Sequence, residues 1–330
     1  MLATHPPVAL TTKQIWHSVP GGARGKTVSH RANPRAGNET LRRFRGVVVA
    51  ALLLLSAGAA AAQEIIRFHS LDDNGPGQPA TMLEAYLFRP AGEGRYPAVV
   101  GLHGCSGMFR RNGKQLTPLY SAWAAELTRH GYVLLLVDSL GPRQHGEMCS
   151  VQGFDLELYR KRPKDAYAAL GYLQAQPFVR GDRVGVVGWS QGGGVTLFAI
   201  GPQHLGRPAV LPQGDFRAAV AFYPGACNER LQGAQWSASI PLLVLMGGGD
   251  VWTPPEPCQA LLAGAAARGS PVETVVYPGA YHGFDAPNNP IQELPAYRTR
   301  AGVVPIVGTD PAARADAVAR VPGFLGRFLQ

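Results

Sequence analysis

Cysteine is scarce in this chain of 330 residues: there are four, Cys105, Cys149, Cys227 and Cys258, and no two stand in C-x-x-C spacing. That spacing argues against a zinc site. H-E-x-x-H is absent and no G-x-G-x-x-G fingerprint is completed. Gly25-Lys26-Thr27 echoes a phosphate loop, but Pro20 stands where such a loop requires glycine. No metal and no cofactor is expected from these patterns. Charged residues are also sparse, 16% against 46% hydrophobic, which excludes wholesale disorder and leaves material for a sizeable core. The net charge of +9 is misleading, because residues 1–62 hold eight basic side chains and only one acid, Glu39. The rest of the chain is close to balanced, so its charge gives no support to a nucleic-acid partner.

Long apolar runs are missing as well. The one candidate, Val47–Leu55, is short for a membrane span, which takes about 20 residues. Arg42, Arg43 and Arg45 precede it, and small residues from Ser56 to Ala62 follow. A basic region, an apolar region and Ala60-Ala61-Ala62 together have the form of a secretory signal peptide, with cleavage expected before Gln63. A single N-terminal anchor is the other reading, but the small-residue end favours cleavage, after which no stable membrane anchor is expected. The expected organisation is a leader over 1–40 without periodicity, a signal peptide over 41–62 and one domain over 63–330. A signal n-region is usually short, so translation starting downstream of Met1 is a further reading. The expected location is periplasmic or secreted. An exported chain with an even number of cysteines can form disulfides. Cys105–Cys149 and Cys227–Cys258 are the favoured pairs, since each would join loops at one end of a sheet, with free buried thiols as the alternative.

Beyond residue 62, short apolar runs alternate with helical spacing. Strands are expected at Leu83–Phe88, Ala98–Leu102, Tyr132–Val137, Val184–Val187, Ala218–Phe222, Pro241–Met246 and Val272–Tyr277. Helices are expected at Tyr120–His130, Tyr159–Gln174, Gln191–Ile200, Cys258–Arg268 and near Ala312–Leu329, the last broken or kinked at Pro322-Gly323. Continuous apolar strands between helices imply a doubly wound, mostly parallel α/β sheet covered on both faces. Ligands of such sheets sit beyond the carboxyl ends of the strands.

The chemistry-bearing residues follow strands. Gly188-Trp189-Ser190-Gln191-Gly192 is a G-x-S-x-G between a strand and a helix, the context a nucleophile elbow requires. Asp250 follows the Pro241–Met246 run and His282 follows Val272–Tyr277, giving the chain order Ser, Asp, His. Ser190 needs a base to take its proton, which assigns that role to His282 and the orienting role to Asp250. Asp138, at another strand end, ranks second because it precedes the serine. The oxyanion donors are expected to be the backbone N–H groups of Gln191 and of Cys105, in His103-Gly104-Cys105-Ser106-Gly107. His103 is read as shaping that loop. Trp189, Trp252, Phe284, Phe109 and Tyr281 are candidates for the wall of a substrate pocket, and otherwise core. Arg110, Arg111 and Arg143 are candidates for greeting an acidic substrate, and otherwise solvated.

Leu102-His103-Gly104-Cys105-Ser106-Gly107, Gly188-Trp189-Ser190-Gln191-Gly192-Gly193, Phe222-Tyr223-Pro224-Gly225, Gly249-Asp250 and Tyr281-His282-Gly283-Phe284 together resemble the dienelactone hydrolase family of the α/β-hydrolases. The resemblance implies an α/β-hydrolase sheet without a large cap, acting on esters or lactones. One departure matters: family members that open dienelactone itself use a cysteine nucleophile, whereas this chain has Ser190. A small-molecule carboxylic ester or lactone is therefore the expected substrate, rather than the family's namesake. Acyl transfer to an alcohol or amine, a catalytically silent binding protein on the same scaffold, and a peptidase are the competing readings.

Overall fold

The computed structural model describes residues 63–111, 113 and 115–330. The expected leader and signal peptide lie outside these residues. Eight strands form one sheet: β1 (Gln63–His69), β2 (Met82–Phe88), β3 (Tyr96–Leu102), β4 (Val133–Asp138), β5 (Val179–Trp189), β6 (Ala219–Phe222), β7 (Leu242–Gly247) and β8 (Val272–Tyr277). Their spatial order is β1-β2-β4-β3-β5-β6-β7-β8. β2 runs antiparallel to both β1 and β4, and every pairing from β4 through to β8 is parallel.

The helices are α1 (Pro118–Arg129), α2 (Leu156–Gln174), α3 (Gln191–Ile200), the short α4 (Glu229–Gln232), α5 (Pro255–Ala267) and α6 (Pro311–Leu329). Alternation along each strand sends side chains to opposite faces. Val99, Leu134, Leu136 and Leu243 pack under Trp123 and Leu127 of α1 and Val321 and Leu325 of α6. Val100, Leu135, Val186 and Val244 pack under Leu170 and Leu173 of α2, Val195 and Leu197 of α3 and Leu261 of α5. All six residues of β4 are buried, because the central strands are covered twice. Each leucine there contributes about 1.5–3 kcal/mol by leaving water.

The fold class is the expected one, with departures in detail. β1 was not foreseen: it is an edge strand that buries only Ile66 deeply, so it carries little apolar pattern. α5 begins earlier than expected, at Pro255, where a proline suits the first helical turn. The expected break at Pro322-Gly323 does not occur, and α6 continues to Leu329. Proline deletes one helical hydrogen bond, but here its ring is buried beside Val321 and Leu325, and the Tyr132 hydroxyl donates to the Pro322 carbonyl at 3.3 Å. Packing against the sheet holds the helix across a residue that local preference would use to end it. Pro163 inside α2 is tolerated in the same way.

Both favoured disulfides are present, Cys105–Cys149 and Cys227–Cys258. Among the described residues, no helix is long and apolar enough to cross a membrane.

Candidate active site

β5 ends at Trp189 and α3 begins at Gln191, so Ser190 alone makes the turn. Its backbone has φ 53° and ψ −114°, a conformation costly for a residue with a Cβ. The turn is held by Ser190 N–H donating to the Phe222 carbonyl at 3.0 Å, and by Gly225 and Gly194 N–H donating to the Ser190 carbonyl at 2.8 and 3.1 Å. Two glycines make room for it. A Cβ on Gly188 would strike the Gly192 carbonyl, and one on Gly192 would strike the Leu102 carbonyl.

The loops after β7 and β8 bring Asp250 and His282 to this turn. His282 Nε2 lies 3.0 Å from Ser190 Oγ, and His282 Nδ1 lies 2.7 Å from Asp250 Oδ2. Asp250 is further held by Trp252 and Thr253 N–H donating to Oδ1 at 2.8 and 2.9 Å, and by the Thr253 hydroxyl donating to Oδ2 at 2.8 Å. Burial pushes the Asp250 carboxyl up, but the His282 imidazole and these donors outweigh it and leave its pKa below 3.8. An ionised acceptor at Nδ1 leaves Nε2 free to accept a proton from the serine. Asp138, the second-ranked acid, caps its own loop by accepting from Leu140 and Gly141 N–H, both at 3.0 Å.

Cys105, in the loop after β3, and Gln191, at the first position of α3, border one cleft with Ser190. Neither N–H donates to a protein acceptor among the described residues. The Cys105 loop is braced from three sides. Its carbonyl accepts from Met148 N–H at 2.7 Å, its sulfur is bonded to Cys149, and Gly104 N–H donates to the Tyr120 hydroxyl at 2.9 Å. His103 is fully buried and its pKa is pulled down to about 3, first by burial and then by the charge of Arg162. It is neutral: Nδ1 donates to the Gly104 carbonyl at 2.7 Å and Nε2 accepts from Ser139 N–H at 3.1 Å. Its approach to Asp138 at 3.7 Å is therefore not an ion pair. His103 shapes the loop, as its position after β3 predicts.

A cleft of about 360 Å³ opens at the Ser190–His282 pair, walled by Thr117, Leu119, Tyr120, Trp252, Tyr297 and Val307. A second cleft of about 470 Å³ shares Ser190, Trp252, Tyr297 and the Cys105–Cys149 bridge with the first. Trp252 stacks on Tyr297 at 5.7 Å between ring centroids and lies 4.9 Å from His282. Trp189 reaches the cleft, but its indole turns inward to stack on Phe222 at 5.6 Å. Phe284 corrects the sequence reading: it is fully buried among Phe222, Tyr223 and Tyr277 and takes no part in the wall. Gly283 before it has φ 71°, and Phe284 and Asp285 that follow are both fully buried. Phe109 packs on Tyr86 instead of lining the cleft, and Tyr281 does not line it either. Arg143 is neither a substrate contact nor solvated. It is buried in a bidentate pair with Asp165 at 2.7 and 2.8 Å, and pairs with Asp72 at 2.7 Å.

Several residues at the site escaped the sequence reading. Asp285 is fully buried and accepts from Trp123 Nε1 at 2.7 Å, Trp189 Nε1 at 3.0 Å and the Tyr223 hydroxyl at 2.7 Å. The Tyr223 ring in turn packs 4.4 Å from the His282 ring. Asp285 thereby ties the loop bearing His282 to β5 and α1. Its only sequence signal is its place three residues after the histidine. A small antiparallel pair, β9 (Gln292–Glu293) with β10 (Ile306–Val307), also supports that loop, through a bridge between Val307 and His282. Two-residue strands leave no periodicity to read.

Comparison with known proteins places this architecture. The pattern of the dienelactone hydrolase family matches residues 83–329. A Bradyrhizobium protein named "Probable 2-oxo-3-(5-oxofuran-2-ylidene)propanoate lactonase" is 27% identical over 208 residues, covering 61% of this chain and 78% of that protein. A dienelactone hydrolase-like promiscuous phosphotriesterase from metagenomic libraries superposes with a TM-score of 0.60 at 19% identity, over 82% of this chain and all of that one. An esterase of Thermogutta terrifontis with butyrate bound gives 0.55 at 18% identity, over 82% of this chain and 94% of that one. The family pattern runs from the second strand of the sheet to the end of its last helix, so this chain belongs to the dienelactone hydrolase family and has the α/β-hydrolase fold.

Proposed function

We propose that this protein is an exported serine hydrolase that cleaves carboxylic esters or lactones through an acyl-enzyme on Ser190. The observation that carries the reading is the continuous relay from Asp250 through His282 to Ser190 Oγ, with contacts of 2.7 and 3.0 Å, at a strained turn. In this mechanism His282 Nε2 takes the hydroxyl proton as Oγ bonds to the substrate carbonyl carbon. The negative charge moves to the carbonyl oxygen, where the Cys105 and Gln191 N–H groups can receive it. The tetrahedral species then expels the alkoxide, which leaves with the proton from His282. Water repeats the sequence on the acyl-enzyme, releasing the acid and restoring Ser190. In a lactone, acid and alcohol remain one molecule.

The cleft of about 360 Å³ suits a compact substrate. The lactonase and the butyrate-bound esterase among the relatives point to the same class. Export is supported by the basic-apolar-Ala60-Ala61-Ala62 leader and by two disulfides, which persist in oxidising compartments. The second cleft, which also reaches Ser190, offers a place for the departing alcohol and keeps acyl transfer as the alternative outcome.

The test labels the chain from Gln63 with a fluorophosphonate, maps the adduct, and follows p-nitrophenyl acetate and butyrate hydrolysis. The expected result is label on Ser190 and a loss of several orders of magnitude in Ser190→Ala. A folded protein that neither labels nor turns over would refute the proposal. Ester products formed with added alcohol would assign it to acyl transfer.

A further inference from the structure

Arg162 has no part in the scheme above, yet it is a cation buried without a salt bridge among the described residues. It lies on α2 and is fully buried. Its hydrogen-bond partners are neutral: Nη1 donates to the Gln191 side-chain carbonyl at 2.6 Å and Nη2 donates to the His103 backbone carbonyl at 2.6 Å, while Nε finds no partner among the described residues. Among the described residues no carboxylate forms a salt bridge with it, although Asp165 acts on it from a distance. The two acids nearest it in sequence on this helix are Glu157, which is exposed and bonded to Lys161, and Asp165, which is occupied by Arg143 and Ser70. Burial pulls its pKa down, but a guanidinium keeps its proton at any ordinary pH. An uncompensated cation in the interior costs several kcal/mol, so a purely structural purpose would be better served by an apolar side chain.

Both of its partners belong to the arms that flank Ser190. His103 contributes the carbonyl one peptide before the Gly104–Cys105 peptide, whose N–H has no protein acceptor among the described residues and belongs to a residue of the cleft wall. Gln191 contributes the other N–H. We propose that Arg162 is a positioning residue of the oxyanion hole: one guanidinium clamps the loop after β3 to the first residue of α3, sets the two N–H groups in register, and stands behind them as a fixed positive charge. A charge held in a water-poor setting acts most strongly on the negative charge that develops in the transition state. The effect should therefore fall on kcat rather than on substrate binding.

This inference rests on the serine-hydrolase reading, and the experiment separates the two. The mature chain is prepared as wild type, Arg162→Met, Arg162→Lys and Gln191→Met. Each is titrated with fluorophosphonate to count competent sites, and kcat and KM for p-nitrophenyl butyrate are expressed per labelled site. Arg162→Met is expected to lower kcat about 100-fold with KM within about threefold, the scale of losing one oxyanion donor. Arg162→Lys, which keeps the charge, should recover at least tenfold of that loss, and Gln191→Met should lose roughly tenfold, since one arm is released. A merely structural arginine would instead lower the melting temperature and the labelled fraction while leaving kcat per labelled site unchanged, and that result overturns the inference. If Arg162→Met does not fold, Gln191→Met decides: unchanged kcat per site overturns the inference and a loss confined to kcat upholds it. A wild type that neither labels nor turns over refutes the serine-hydrolase reading itself.

Discussion

Removing the Asp285 carboxylate tests whether the histidine loop is held from beneath. Two indole N–H groups and one phenol hydroxyl converge on that carboxylate, all buried. Asp285→Ala strands all three donors, each at about 1–3 kcal/mol, while relieving the cost of a buried charge. The net loss should be about 3–4 kcal/mol, a fall of roughly 10 °C in melting temperature for a domain of this size. Asp285→Asn should cost only about 1 kcal/mol. Its carbonyl can accept both indoles, as Oδ2 does now, and its amide can face Tyr223, whose hydroxyl turns round to accept. Because Tyr223 packs on His282, Asp285→Ala should also lower kcat by about tenfold, consistent with small misplacements of a general base. Thermal unfolding followed by near-ultraviolet circular dichroism, with kcat per fluorophosphonate-labelled site, reads both effects. An alanine variant melting within 2 °C of wild type, with unchanged kcat, would show that the carboxylate does not hold the loop. Equal damage from asparagine and alanine would show that the charge matters and the acceptor geometry does not.

Two further outcomes follow from the same geometry. Cys105→Ser with Cys149→Ser opens a loop spanning 44 residues and should cost about 4 kcal/mol on the chain-entropy relation, yet retain at least roughly a tenth of wild-type kcat, because the proposed mechanism uses the backbone of Cys105 and not its thiol. Calorimetry and ester turnover decide it, and a folded but inactive double variant would contradict the assignment. The second concerns acid. Asp250 and Asp72 have folded pKa values below 3.8, despite burial, through His282 and Thr253 in one case and Thr81 and Arg143 in the other. A depressed carboxyl pKa stabilises fully above the unfolded value and is lost as pH falls through the folded value. Stability should therefore hold down to about pH 4 as far as these two groups are concerned, then drop, and Asp72→Asn should make the drop shallower in denaturant titrations between pH 5 and 2.

Much of the sheet was legible because β3, β4, β6 and β7 are nearly continuous apolar runs, which only a doubly covered strand tolerates. Ser190, Asp250 and His282 were legible because each follows a strand, Ser190 at once after β5, Asp250 three residues after β7 and His282 five residues after β8. What stayed hidden depends on three-dimensional context. Arg162 and Asp285 carry no local signal of the burial that the fold imposes on them. Phe284 looks like a wall residue by proximity to His282, but its ring packs inward among Phe222, Tyr223 and Tyr277. Pro322 carries a local signal to stop a helix, and burial against β-sheet side chains outweighs it.

The order of the strands also bears on how the protein comes to be active. β5, which delivers Ser190, pairs with β3 on one side and β6 on the other, and no two of these strands are joined by a tight turn. Each pairing closes a crossover of tens of residues, and such non-local closures slow folding. Asp250 and His282 arrive in the loops after β7 and β8, at the far end of the same series. Helices can therefore form on refolding well before three strand ends converge on one serine. The return of ester turnover reports the completion of the sheet, and a refolding chain can regain its far-ultraviolet spectrum while still unable to hydrolyse anything.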